Sequence, residues 1–167
     1  MATFDSVKSV LSPVPEDFSE TESAPIAGMP VAWTVLFADV AGSTKLYDAL
    51  GDTQAKAMVD ECIGIMRAVV AQYGGRVIKT IGDEVMCVLP HADTGVLAGT
   101  DMQTRVAALP IVSDVKRAIR VGFHFGPVIE ENNDVFGDTV NLAARMAGLD
   151  KGVKRPRGAF SYFCGAF

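Results

Sequence analysis

A chain of 167 residues, 49% hydrophobic, 21% charged and 8% aromatic, holds one domain and can bury a core without disulfides or a structural metal; wholly disordered and fibrous classes are excluded. Fifteen Lys and Arg against twenty Asp and Glu leave a formal net charge of −5, which excludes a nucleic-acid-binding surface as the main business of the chain. The longest apolar run, Met29 to Ala38, is broken at Thr34 and stops at Asp39, short of the roughly 18 residues of a membrane span.

Residues 1–29 carry five acids against one base, with three prolines, and read as a flexible acidic leader. No basic segment followed by an apolar one marks a secretory signal, so a cytoplasmic location is expected. VAWTVLFADV (31–40) reads as a buried strand ending at a carboxylate. Gly42 to Thr44 opens a helix with Ser43 as its N-cap. From Thr53 to Tyr73, Met58, Cys62, Ile65, Met66, Val69 and Tyr73 recur at helical spacing, and Gly74-Gly75 ends that helix. RVIKTI and EVMCVL, separated by Gly82-Asp83, form a tight hairpin. A helix from about Asp93 to Ala108, a strand over 117–126, a strand and turn in PVIEENNDVF, and a helix over 138–149 complete the order. Residues 151–167 form a basic and aromatic tail. The fold class is α+β, a ferredoxin-like βαββαβ core with an additional hairpin and helix, its helices covering one sheet face and the other face free for a partner. Met58, Met66 and Met146 are expected in the core. Cys62, Cys87 and Cys164 form no C-x-x-C pair and read as buried thiols.

Asp39, at a strand end, and Asp83, in a hairpin turn, sit where both can project from one sheet edge. Two carboxylates meeting there repel unless a cation lies between them, and a set so poor in protein ligands suits Mg²⁺. Taken singly, an Asp after a strand is more often a helix cap and an Asp in a Gly-Asp turn more often turn chemistry. Ala41, Gly42, Ser43 and Thr44 form a small-residue loop before a helix N-terminus, able to hold phosphate without being a Walker loop. Asn141 and Arg145 lie one helical turn apart, either bracing a ribose and a charged phosphoryl group or simply solvated. Strand alternation puts Lys79 on the face of Val77 and Ile81, as a snorkelling or a base-reading residue. Asp134 reads as a turn residue, His124 as a packed strand histidine, and His91 carries no signal.

The segments VLFADVAGST, GGRVIKTIGDEVMCVL, IRVGFHFGPVIE and DVFGDTVNLAARMAGL, in this order from about Thr34 to Leu149, resemble the catalytic domain of class III adenylate and guanylate cyclases. The resemblance implies a cyclase catalytic domain over residues 30–150 that makes 3′,5′-cyclic AMP and pyrophosphate from ATP in intracellular signalling. By motif, Asp39 and Asp83 match the metal aspartates, Val40 the residue whose carbonyl also ligates metal, and the Ala41–Thr44 backbone the triphosphate loop. Lys79 and Asp134 match the adenine readers, where guanylate cyclases typically carry glutamate and cysteine. Asn141 and Arg145 match the transition-state pair. The resemblance further implies two divalent cations, Mg²⁺ or Mn²⁺, and a homodimer with sites shared across its interface. Family members continue beyond the last helix with strands that KGVKRPRGAFSYFCGAF does not resemble, so a shortened form is expected. An active adenylate cyclase and a nucleotide-binding or dimerisation module without turnover both remain open at this stage.

Overall fold

The computed structural model describes residues 30–149; the leader, the tail and Cys164 lie outside the described residues. Element order is β1 (Val31–Val40), α1 (Ser43–Leu50), α2 (Asp52–Gln72), β2 (Arg76–Ile81), β3 (Glu84–Leu89), α3 (Ala92–Ala107), β4 (Ile119–Glu131), β5 (Asp134–Phe136) and α4 (Asp138–Leu149). The strands form one antiparallel sheet in the order β2-β3-β1-β4-β5, the α+β architecture expected from the sequence.

Strand alternation divides the core. On one face Leu36, Ala38 and Val40 of β1, Val85, Cys87 and Leu89 of β3, and Val121 and Phe123 of β4 meet α1, α2 and α3. The stripe on α2 runs through Met58, Val59, Cys62, Met66, Val69 and Val70 at three- and four-residue spacing, the pattern of a helix buried along one side. Burial pushes the Cys62 thiol up to about 11 and the Cys87 thiol up to about 12, so both stay protonated and inert at neutral pH.

The second face is not open, contrary to the sequence expectation. Val35, Phe37, Met86, Val88 and Val128 pack there against Val135 of β5 and Ala143 and Ala147 of α4. Helix α4 can lie on the sheet because its inward positions are small and because Gly122 lacks a Cβ. A methyl group at 122 would sit 2.1 Å from the Ala147 nitrogen and 2.6 Å from its Cα. Thr139, buried at the start of α4, donates its hydroxyl to the Pro127 carbonyl at 2.7 Å and fixes the other end of the helix. Met146 is half-buried, while Met58 and Met66 are core as expected.

Three local expectations change. Gly42, at φ +72°, holds the cap position of α1, and Ser43 is its first helical residue with no side-chain cap. The fourth strand continues past Gly126 to Glu131, because Pro127 to Glu131 keep an extended backbone that pairs with β1 and β5. Finally, β2 carries a bulge: Val77 pairs with Cys87 and Lys79 with Met86, leaving Ile78 as the extra residue. Lys79 therefore shares the face of Met86, opposite Val77.

Gly122→Ala is expected to lower unfolding free energy by about 2 kcal/mol through this backbone clash, since α4 must lift from β4. Urea denaturation checks it; an unchanged midpoint would show that α4 is not seated on this contact.

Candidate active site

Asp39 is the penultimate residue of β1, paired in register with Glu84 of β3 and Arg120 of β4. It is 4% exposed, so its carboxylate requires a partner, and Arg120 supplies one. The guanidinium Nε donates to Oδ1 at 3.1 Å and a terminal nitrogen donates to Oδ2, a two-pronged pair. No spacing rule singles out Arg120 in the sequence; only the register of β1 on β4 brings it opposite Asp39.

Asp83 stands in the β2–β3 turn, where its carbonyl accepts the Val40 N–H at 3.2 Å. The backbones of Asp39, Val40 and Asp83 are thus adjacent. Asp83 borders a cleft of about 500 Å³ whose walls include Ser43, Thr44, Tyr47, Lys56 and Asp60. Lys56 donates to Asp60 at 2.6 Å, and that bond holds the ammonium above its ordinary value. Of the predicted phosphate loop, Ala41 is committed: its N–H donates to the Ala118 carbonyl at 2.8 Å. The donors facing outward begin after it, at Gly42, Ser43 and Thr44, where a helix leaves its first N–H groups without intrahelical partners.

The bulge at Ile78 decides the position of Lys79. Its amine donates to both oxygens of Asp134, at 2.8 and 3.2 Å, although β2 and β5 stand at opposite ends of the strand order. The two meet because the β4–β5 hairpin folds back across the sheet. Asp134 is more than the turn residue its sequence suggests. The Lys79 hydrogen bond, and then the Val135 N–H, hold its carboxyl below the usual range.

Asn141 and Arg145 occupy exposed positions one turn apart on α4, and among the described residues neither side chain has a hydrogen-bond or ion-pair partner. The structure keeps them together but not in contact with Asp39 or Asp83. His124 is a half-buried strand residue; His91 is the N-cap of α3, its N–H donating to the Thr94 hydroxyl at 3.1 Å.

Among the described residues no three His, Cys, Asp or Glu side chains gather at one point. A metal here would therefore complete its shell with water and phosphate, which suits Mg²⁺. Arg120 already engages both Asp39 oxygens, so a metal cation bound there would share the carboxylate with the guanidinium or take its place.

Sequence comparison decides the family. The Adenylate and Guanylate cyclase catalytic domain profile matches residues 31–154. The chain belongs to this family. It is 33% identical over 113 residues to an adenylate cyclase of Streptomyces coelicolor, covering 68% of this chain and 29% of that protein, so it spans under a third of that relative's length. Among solved structures, the catalytic core of a rhodopsin-guanylyl cyclase with converted specificity, in complex with ATPalphaS, superposes with a TM-score of 0.65 at 27% identity, covering 74% of each chain. A bacterial light-regulated adenylyl cyclase shares the fold at TM-score 0.65 and 23% identity, over 75% of this chain and 42% of that one. This cyclase domain has no helix among its described residues long and apolar enough to cross a membrane.

Two expectations follow from the charge pairs. Asp39→Ala strands the Arg120 guanidinium and is expected to cost about 2 kcal/mol, most of it recovered when Arg120→Leu is added; a double-mutant cycle in urea measures the coupling. Because the Asp134 carboxyl is depressed, the Lys79 pair contributes fully above the ordinary aspartate range and is lost as pH falls through the lowered value. A carboxyl-resolved NMR titration should place Asp134 below the free value of about 3.9 and return it towards that value in Lys79→Met.

Proposed function

We propose that this cyclase domain is an adenylate cyclase, converting ATP to 3′,5′-cyclic AMP and pyrophosphate at sites shared between two copies of the chain. The observation that carries the choice of base is the Lys79–Asp134 pair. It sets a cationic donor beside an anionic acceptor, and adenine presents the complement: a ring nitrogen that accepts and an exocyclic amine that donates.

The reaction is in-line attack of the ribose 3′-oxygen on the α-phosphorus. One P–O bond forms, the bond to the β-phosphate oxygen breaks, the hydroxyl proton is lost, and pyrophosphate leaves. Asp39, the Val40 carbonyl and Asp83 are the residues that would hold two divalent ions, Mg²⁺ or Mn²⁺. When bound, such ions acidify the attacking hydroxyl and neutralise the leaving group. The N–H groups of Gly42, Ser43 and Thr44 bind the triphosphate at the positive end of α1. Arg145 stabilises charge growing on the α-phosphate, and Asn141 orients the ribose.

A shared site explains why Asn141 and Arg145 stand exposed and unpartnered within one copy. It also gives the exposed cross-strand pair Ile129 and Phe136, at 45% and 49%, an apolar role at an interface. The buried, unreactive thiols suit a reducing cytoplasm, our proposed location.

Cyclic AMP formation from ATP and Mn²⁺ by the purified chain tests the reading. Asp39→Asn and Asp83→Asn should each reduce the rate by at least about 100-fold with folding retained. Lys79→Glu combined with Asp134→Cys should move preference towards GTP. Retained ATP binding without any product would leave a nucleotide-binding module, and unchanged ATP preference in the double variant would refute the base-reading roles.

A further inference from the structure

The tip of the β4–β5 hairpin is a slight structure. Three register pairs join its strands, and Asn132 and Asn133 turn at φ +50° and +63°. A two-stranded ribbon of this size is marginal by itself. Asp134 stands directly after the turn, so its position depends on whatever holds the tip in place. That holder is Arg76, the first residue of β2. Its guanidinium donates to the Glu130 carboxylate at 3.1 Å, on the strand before the turn, and to the side-chain oxygen of Asn133 in the turn itself. One planar fork thus ties the turn to the strand that leads into it, a grip that a lysine's single ammonium does not reproduce.

The spacing along β2 makes the grip consequential. Arg76 lies before the bulge and pairs with Val88; Lys79 lies after it and pairs with Met86. The same short strand therefore anchors the hairpin with one cation and presents to it, three residues later, the cation that meets Asp134. Without the first contact, the buried Val135 and the ladder to β4 still seat the base of the hairpin, but Asp134 itself is left to the exposed Lys79 pair, and single exposed ion pairs are weak where a two-contact network is stronger.

We propose that Arg76 is a positioning residue for base selection: by clamping Glu130 and Asn133 it fixes Asp134 relative to Lys79, and so sets the preference for adenine over guanine while acting through Asp134. The inference rests on Lys79 and Asp134 being the base-reading pair.

The test uses the full chain with Mn²⁺ and two nucleotides unable to cyclise, 3′-deoxyATP and 3′-deoxyGTP, titrated by calorimetry, alongside amide hydrogen exchange. Arg76→Met should speed exchange at residues 132–136 about tenfold while β1 and β3 are unchanged. It should also reduce the ATP-to-GTP affinity ratio at least about fivefold, as Lys79→Met does directly. Should Arg76→Met not fold, Glu130→Ala with Asn133→Ala removes both acceptors from the surface side and must lower the ratio likewise. A ratio that Lys79→Met lowers but the clamp variants leave intact overturns the inference and spares the base-reading assignment. Equal weakening of both nucleotides by the clamp variants also overturns it, since a purely structural role has that signature. A ratio insensitive to Lys79→Met overturns the base-reading assignment itself.

Discussion

Side chains on a strand alternate between faces, so the register of each pair decides which charges can meet, and in this domain that parity assembles a polar row beside the second core cluster. Asp39, Glu84 and Arg120 stand in one row across β3, β1 and β4 because each is the register partner of the next. A slip of one residue in the β1–β4 pairing would turn Arg120 into the first core cluster and Phe123 out of it. The apolar alternation that fills the first core cluster therefore also fixes the charge row. No separate device is needed to hold Asp39 and Arg120 opposite one another.

Helix α4 obeys the same logic by a different route. Its inward positions are Ala143 and Ala147, and Gly122 faces it, so helix and sheet come closer than ordinary side chains permit. Seating the helix this deeply leaves Asn141 and Arg145 on its exposed side. Small residues here govern where large polar ones act. The site is thus a product of packing density as much as of the residues that bear its chemistry.

The sequence disclosed the elements because their signals are local. Helical spacing on α2 and the Gly82-Asp83 turn between two apolar strands need no tertiary knowledge, and the cyclase motifs carried the candidate residues with them. What stayed hidden depended on pairing across the fold. Arg120 lies 81 positions from Asp39 and has no pattern around it. The bulge at Ile78 looks, in sequence, like uninterrupted alternation through Val77, Lys79 and Ile81, and so Lys79 was expected on the wrong face. The covering of the second face by α4 was equally invisible, since a stripe of alanines and valines does not announce which side of a sheet it will pack on. Ala41 fell from the phosphate loop for a related reason: its N–H is spent on Ala118, a partner that only the fold supplies.

The irregularity in β2 has a bearing beyond the base. This strand is the outermost of the sheet, with no neighbour on its far side among the described residues, and Ile81 on it is 58% exposed. A straight, apolar border of that kind is a template on which other chains can add strands and aggregate. The extra residue breaks the regular ladder of backbone donors and acceptors on which such addition depends. A feature that aims one lysine thereby also makes this border a poorer template for a further strand.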